Sequence, residues 1–305
     1  MAQPQRVVSL SPSCTEIVCA LGLGDRLVGR SHECDFPPQA AGLPALTASK
    51  VNVYASSRAV DEQVRKLSAG GEALFRLDAE KLRALKPEVV LTEALPDACD
   101  VSAADVGAAL GDAEARVVTL EPRSVEDVFN GIRAVADALE AGSAGEALIH
   151  RIRSRMFAVR DAAADLPKPS VACLGWLDPL KPAGGWVPEL VEMAGGREVL
   201  GEAGAAPRAL EWGELRKAQP DLVIAMPRGF DLTRARLEMT ALASKPEWSG
   251  LKAVQAGRAY AADGNRFFNR PGPRLAESLE ILAEILHPKE FSFGARGAGW
   301  EAYRL

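Results

Sequence analysis

A ten-residue pattern occurs twice in this chain, at 82–91 and again 133 positions later at 215–224. Each copy passes from an amphipathic stretch through a proline and an acidic residue into an aliphatic run. A proline disfavours helical backbone in the residue before it, so each copy predicts a helix end followed by a buried strand. A chain with this junction in both halves is constrained to an α/β fold.

The start of each half repeats as well. The strand pattern at 6–10 is followed by Glu-Ile-Val at 16–18, and the strand pattern at 171–174 is followed by Glu-Leu-Val at 189–191; a glycine comes next in both. Helix–proline–strand junctions occur in many α/β chains, which leaves either repeat alone open to chance. Together they favour two similar Rossmann-like lobes.

A helix start is predicted near the N-terminus. Residues 13–16, Ser-Cys-Thr-Glu, have the spacing of a capping box, in which Ser13 would cap the first turn. Gly22 and Gly24 then supply a left-handed stop before an extended run.

A single long rigid α-helix is predicted to join the lobes. Leu148, Ile152, Met156, Val159 and Ala163 recur at helical spacing, with arginines between them. At 1.5 Å per residue the helix would be roughly 33 Å long. The alternative is a helix that packs on one lobe only. The predicted segments are an N-terminal lobe at 1–141, a linker helix at 142–166, a C-terminal lobe at 167–288 and a Gly-rich tail at 289–305 that lies over the surface or frays.

Composition excludes several classes of protein. The chain has 305 residues, enough for two cores, and it is 48% apolar and 25% charged. The formal net charge of -5 gives no basic surface for nucleic acid. No stretch approaches the roughly 20 apolar residues that cross a bilayer.

The five cysteines and the N-terminus bear on location. Five is an odd number, the cysteines are dispersed, and none forms a C-x-x-C pair, so neither a disulfide framework nor a zinc cluster is indicated. Residues 1–6 show no secretory leader. The chain as written is therefore expected in the cytoplasm, or in the periplasm or outside the cell if a leader has been removed.

Four ordered motifs carry a family resemblance. The motifs lie at 6–17, 29–38, 176–189 and 265–275. They resemble the class III, helical-backbone metal-receptor family, and within it the cobalamin-binding substrate-binding proteins of ABC importers. This resemblance implies a ligand cleft between two α/β lobes, a corrinoid ligand, no catalytic activity, no nucleotide, a monomer and possible delivery to an importer permease.

The resemblance also implies which residues contact the ligand. A corrinoid is a large, flattish ring edged with amides, so aromatic planes and amide or backbone groups suit it. In open α/β sheets such residues follow the carboxyl ends of strands. The candidates are Ser11, Pro12, Ser13, His32, Glu33, Cys34, Asp35, Phe36, Tyr54, Trp176, Trp186, Arg228, Phe230, Asn265, Phe267, Phe268 and Asn269. Phe267 and Phe268 have core packing as their alternative.

The string at 32–35 is the most reactive in appearance. Imidazole coordinates transition metals, and the cobalt of a corrinoid takes an axial nitrogen, so His32 is a candidate axial ligand. It has two alternatives: lining the site through hydrogen bonds, or a structural role. Cys34 has a small packed side chain as its alternative.

Other functions stay open at this stage. An iron-siderophore or haem receptor would need more cations or tyrosines at the site, and the chain has three tyrosines. A small hydrolase would pair Ser11 or Cys34 with His32. A cytosolic corrinoid carrier or sensor would suit the missing leader. The local signatures of zinc proteases, P-loops, nucleophile elbows and dinucleotide-binding loops are absent from the sequence.

Overall fold

The computed structural model describes residues 5–94 and 101–304, which fall into two compact units. Unit 1 contains residues 5–55, 62–94, 101–122 and 126–151, and unit 2 contains residues 56–61, 123–125 and 152–304.

The first half of the chain alternates strands and helices. Its strands are β1 (Val7–Ser9), β2 (Leu27–Arg30), β3 (Thr47–Ser49), β4 (Phe75–Leu77), β5 (Val89–Glu93) and β6 (Arg116–Leu120). Its helices are α1 (Pro12–Ala20), α2 (Pro38–Ala41), α3 (Ser57–Ala69), α4 (Ala79–Ala84), α5 (Ala103–Leu110), α6 (Val125–Ala138) and α7 (Gly142–Ala163), with a 3₁₀ turn at Gly24–Arg26.

Unit 1 is built on a four-stranded parallel sheet in the order β2-β1-β5-β6. Val89, Val90 and Leu91 of β5 are fully buried, as expected of a strand covered on both faces. Strands β3 and β4 form a separate antiparallel pair. The predicted α/β lobe with a parallel core is confirmed.

The second half repeats this plan with additions. Its strands are β7 (Ser170–Leu177), β8 (Leu180–Pro182), β9 (Arg197–Glu198), β10 (Leu222–Ala225), β11 (Ala259–Ala262) and β12 (Trp300–Tyr303). Its helices are α8 (Val187–Met193), α9 (Trp212–Ala218), α10 (Leu232–Ala243), α11 (Pro246–Ser249), α12 (Lys252–Gln255) and α13 (Leu275–Leu286), with a π-helical turn at Gly264–Phe268.

The sheet of unit 2 contains the same parallel core. Strand β9 pairs with β7, and β7, β10 and β11 follow in parallel order, which matches β2-β1-β5-β6 strand for strand. The backbone turns match too: Gly22 and Gly195 both have φ +79°, while Lys86 and Gln219, each before a proline, have φ 45° and 42°. The two sequence repeats are therefore a true structural repeat.

Helix α7 is the predicted linker. It spans Gly142–Ala163, and the division between the two units falls inside it, after residue 151. Ile152, Met156 and Val159 are buried, as their helical spacing predicts.

Two local expectations are wrong. Helix α1 begins at Pro12 and not at a capping box on Ser13, because proline favours the first helical turn and the Ser13 hydroxyl bonds to Glu93 instead. The Gly-rich tail was expected to lie over the surface or fray; its residues 300–303 instead form β12, antiparallel to β11. Trp300 is buried, and its Nε1 donates to Glu284 at 2.7 Å, which anchors the strand.

Across residues 5–94 and 101–304, none of the helices combines the length and the apolar character that a membrane crossing requires.

Candidate functional site

Three strand ends of unit 1 meet at one edge of its sheet. The Ser31 amide after β2 donates to the Ser9 carbonyl at 2.8 Å, and the Leu10 amide after β1 donates to the Leu91 carbonyl at 2.8 Å. These bonds continue the parallel ladder into the loops. The residues that follow β1, β2 and β5 are thereby brought together, as the sequence predicts for a ligand-binding edge.

A buried carboxylate organises the start of α1. Ser11 Oγ donates to Glu93 Oε2 at 2.5 Å, and Ser13 Oγ donates to the same oxygen at 2.8 Å. All three side chains are at most 4% exposed. Because both hydroxyls bond to one buried carboxyl oxygen, this cluster fixes residues 11–13 against the end of β5.

His32 is half-buried and bonded to the β3 strand. Its Nδ1 lies 2.6 Å from Thr47 Oγ1, and its backbone amide donates to the same hydroxyl at 2.9 Å. Its ring packs edge-on against the Phe75 ring, with the two ring centroids 4.9 Å apart. Burial lowers the pKa of His32 below its ordinary value of 6.5, and the positive charge of Arg30 lowers that pKa further. The imidazole is therefore favoured in its neutral form.

The remaining candidates of this loop divide into packed and exposed residues. Cys34 is fully buried, and Thr15 Oγ1 donates to its sulfur at 3.0 Å, which fits the packed alternative. Glu33, Asp35 and Phe36 are exposed, and Tyr54, between β3 and α3, is 86% exposed.

A concavity of about 380 Å³ adjoins this region of unit 1. It is lined by β3, β4 and the start of α4, and Thr47, the partner of His32, lies on its wall. The His32–Thr47 pair therefore stands beside an open volume. The lining residues are Ala45, Leu46, Thr47, Ala48, Arg76, Leu77, Asp78, Ala79 and Lys81.

Unit 2 also gathers the ends of its parallel strands, around an aromatic pair. Trp176 at the end of β7 and Phe230 after β10 have ring centroids 5.1 Å apart, tilted by 51°. The Asn265 amide after β11 donates to the Phe230 carbonyl at 3.0 Å. Trp176 and Asn265 are half-buried, whereas Phe230 is only 5% exposed and backs the tryptophan.

Several predicted residues of unit 2 lie deeper in the fold. Phe268 is 2% exposed and Trp186 is 6% exposed, so both are packed inside the unit. Phe267 is half-buried, with the Arg274 guanidinium 5.6 Å from its ring centroid. Asn269 Nδ2 donates to the Gly264 carbonyl at 2.5 Å, and this bond closes the π-helical turn.

Asp263 supports the turn that carries Asn265. It is 2% exposed, and its carboxylate accepts from the Arg266 amide at 2.8 Å. Burial raises the pKa of Asp263, although this hydrogen bond and the Arg266 charge act in the opposite direction.

Sequence reasoning missed Glu93 and Thr47. Glu93 had a usable signal, because it is the last residue of β5, just beyond the apolar run at 89–91, where the carboxyl ends of parallel strands place ligand-contacting groups. Thr47 had none, since its contact with His32 depends on how β3 lies beside the loop after β2.

The sequence pattern of the periplasmic binding protein family matches residues 7–265, most of the chain. The chain belongs to the periplasmic binding protein family. This binding protein is 26% identical over 298 residues to an uncharacterized ABC transporter substrate-binding lipoprotein of Bacillus subtilis, covering 95% of this chain and 82% of the relative.

Two further similarities concern a vitamin and haem. The binding protein is 22% identical to the vitamin B12-binding protein of Vibrio cholerae, covering 92% of this chain and 89% of that one. Its fold matches a crystal structure of a periplasmic heme binding protein from Pseudomonas aeruginosa with a TM-score of 0.71 and 22% identity, covering 94% of each chain.

Family membership decides between the broad function classes. The chain is a substrate-binding protein of the ABC-importer type with the two-lobed α/β fold, and it binds a small molecule; it is not an enzyme. The hydrolase alternative is therefore set aside. Within residues 5–94 and 101–304, no three His, Cys, Asp or Glu side chains gather into a metal-binding group.

Proposed function

We propose that this binding protein binds a corrinoid, namely cobalamin or a close relative of it. One observation carries the proposal: unit 2 presents a half-buried tryptophan plane, Trp176, that rests against Phe230, and the Asn265 backbone amide donates to the Phe230 carbonyl, which brings the half-buried Asn265 to the same strand ends. An aromatic plane suits the apolar face of a corrin ring, and an amide suits its amide-bearing rim. The Vibrio cholerae relative, named for vitamin B12, supports the same ligand class.

Unit 1 presents polar groups of its own that would suit a corrinoid. Ser11 and Ser13 are fixed by Glu93, and the exposed Glu33, Asp35, Phe36 and Tyr54 extend from the neighbouring loops. Acidic and hydroxyl groups accept hydrogen bonds from primary amides, and they disfavour a ligand edged with carboxylates. The other residues proposed to contact the ligand are Pro12, His32, Arg228, Phe267 and Asn269, whereas the packed Cys34, Trp186 and Phe268 would support the site from behind.

The first test is titration of the purified, reduced protein with cyanocobalamin and hydroxocobalamin, followed by calorimetry and by the visible spectrum of the corrin. One-to-one saturable binding is expected, unchanged in Phe157→Ala, which removes an exposed aromatic ring from α7. Failure of both corrinoids to bind at about 50 μM, a weak affinity for a dedicated receptor, would overturn the corrinoid assignment.

His32 is proposed as an axial ligand to cobalt. Coordination needs a neutral imidazole with a free Nε2 lone pair. If Nδ1–H donates to Thr47 and the Thr47 hydroxyl donates to Ser31 Oγ, 2.9 Å away, each of these hydrogen bonds is satisfied and Nε2 keeps its lone pair. A shift in the hydroxocobalamin spectrum that disappears in His32→Ala and persists in His150→Ala is expected; an identical shift in both variants contradicts axial ligation.

A haem or iron-siderophore ligand is the second candidate. It is favoured by the fold match to a periplasmic heme binding protein, and by Tyr54, whose exposed phenol is a ligand type that iron accepts. Haemin titration separates the two candidates: a tighter Kd for haemin than for either corrinoid, with a Soret shift lost in Tyr54→Phe, would replace the corrinoid proposal.

We also propose that the protein acts outside the cytoplasmic membrane, as a monomer that delivers its ligand to an importer permease. The family and the lipoprotein relative support this location. Fractionation of cells that express the natural gene, with sedimentation of the purified protein, tests both points. Recovery in the cytosolic fraction would favour the cytosolic carrier or sensor.

A further inference from the structure

A row of side chains in unit 2 stands behind Trp176. The Trp176 ring leans on Phe230, and the Arg234 guanidinium carbon lies 4.6 Å from the centroid of the Phe230 ring. A cation at this distance is attracted to the electron-rich face of the ring. The Phe230 ring therefore contacts both a tryptophan and a cation.

Arg234 is fixed in its turn. It lies on α10, and its Nε and Nη2 both reach Glu238 Oε1, one helical turn later, at 3.2 and 3.1 Å. The side chains of Arg234 and Glu238 are only 22% and 11% exposed. A pair with so little solvent around it is better ordered than an ordinary surface pair, which contributes little.

The other oxygen of Glu238 is also engaged. Glu238 Oε2 accepts from the Ser57 amide at 3.2 Å and from Ser57 Oγ at 2.7 Å, and Ser57 belongs to the 56–61 segment of unit 2. Because both carboxylate oxygens are bonded, Glu238 holds Arg234 at a defined place over Phe230.

One edge of the tryptophan is anchored by the residue that follows its strand. Trp176 Nε1 donates to the Asp178 carbonyl at 3.2 Å, and the ladder between β7 and β8 is irregular between Leu174 and Trp176. This hydrogen bond fixes the indole edge. The indole plane also rests against the Phe230 ring, and this contact constrains its tilt.

We infer that Arg234 is a positioning residue for ligand recognition: it clamps Phe230, and Phe230 sets the plane that Trp176 offers to the ligand. The inference rests on the proposed function, in which Trp176 stacks on the ligand. Glu238 neutralises the charge of Arg234, so Arg234 positions Phe230 without acting as a charged contact to the ligand. The positive charge of Arg234 therefore does not decide which ligand the aromatic surface binds.

The test joins a probe of the unliganded protein with an affinity measurement. The five tryptophans are labelled with 5-fluorotryptophan, and loss of one ¹⁹F resonance in Trp176→Phe assigns Trp176. Arg234→Met keeps an unbranched, flexible side chain and removes the positive charge. It is expected to shift or broaden that resonance. It is also expected to weaken cyanocobalamin binding by about fivefold to tenfold. Arg234→Lys, which keeps a cation, is expected to restore most of the affinity.

Arg236→Met is the matched control. Arg236 lies on the same helix, is more exposed and pairs with Glu301 instead. It should leave both the Trp176 resonance and the Kd unchanged. An unshifted Trp176 resonance with an unchanged Kd in Arg234→Met overturns the inference, as does an equal effect of Arg236→Met.

The two hypotheses fail in different ways. If the unaltered protein binds no corrinoid, the proposed function fails, while the ¹⁹F comparison still decides whether Arg234 positions Trp176. If the unaltered protein binds cyanocobalamin, and Arg234→Met has the same Kd and the same Trp176 resonance, only the positioning role of Arg234 is wrong.

Discussion

The two units share a backbone plan and differ in what they place at its working edge. Both have the same order of four parallel strands, and both turn from the first helix at a glycine with φ +79°. Unit 1 ends its strands in hydroxyls and a buried carboxylate, Ser11, Ser13 and Glu93, whereas unit 2 ends them in the Trp176–Phe230 pair. The core constrains the strands, but the loops beyond them are free to carry different chemistry.

The largest effect is expected from removing the carboxylate of unit 1. Glu93→Ala deprives the buried Ser11 and Ser13 hydroxyls of their shared acceptor, so the free energy of unfolding should fall by about 2–4 kcal/mol. Urea denaturation measures it. Glu114→Ala, at an exposed position, should change stability by less than about 0.5 kcal/mol. Equal stability of the two variants would mean that the polar edge does not hold unit 1 together.

The matched glycines give a direct comparison of the two units. At Gly22 an added Cβ meets nothing within 4 Å, so Gly22→Ala should cost only the left-handed backbone penalty of about 1–2 kcal/mol. At Gly195 the Cβ would come within 2.9 Å of His287 Nε2 and 3.1 Å of Ala163 Cβ. Gly195→Ala should therefore destabilise the protein more than Gly22→Ala by about 1–3 kcal/mol in the same denaturation experiment. The reverse order would show that unit 1 packs more tightly at this turn.

The aromatic edge of unit 2 is tested through ligand affinity. Under the proposed function, Trp176→Ala should raise the Kd for cyanocobalamin by about 10- to 30-fold, because it removes the stacking plane. Calorimetry measures the Kd, and Phe157→Ala is the aromatic control. An unchanged Kd in Trp176→Ala would move the ligand-contacting surface away from unit 2.

The smallest effect concerns pH. The folded-state pKa of His32 is lowered by burial, so the unfolded chain binds the proton more readily. The stability that His32 contributes is then complete above its ordinary pKa of 6.5 and is lost as the pH falls below it. Between about pH 7 and pH 5, the His32→Gln variant should lose less stability than the unaltered protein. The control His150→Gln, at an exposed position, should lose as much stability as the unaltered protein. A steeper acid loss in His32→Gln would contradict this assignment.

Much of the fold could be predicted because its signals are local. The repeated junctions at 82–91 and 215–224 became α4–β5 and α9–β10, and the apolar spacing from 148 to 163 became the buried face of α7. In the tail at 289–305, the strand at 300–303 was not predicted, because the glycines of the tail favour a flexible backbone. The anchoring of Trp300 by Glu284 depends on a helix that lies well before it in the sequence.

The candidate site could be predicted only in part. The loops after β1, β2, β7, β10 and β11 were identified because strand ends mark them, and their residues do gather within each unit. Side-chain partners were not predictable, since Thr47 reaches His32 from a separate sheet and Ser57 reaches Glu238 from 181 positions away.

The sequence by itself determined the α/β class, the internal repeat, the long helix α7 and the strand ends at which the candidate residues lie, because each follows from hydrophobic periodicity and from proline and glycine placement along the chain. The tertiary structure alone decided which polar groups are paired, namely Ser11 and Ser13 with Glu93, His32 with Thr47, and Glu238 with both Arg234 and Ser57. Apart from the i,i+4 pair of Arg234 and Glu238, these pairings join residues that are distant in sequence, and they are favoured because an unpaired polar group is costly to bury.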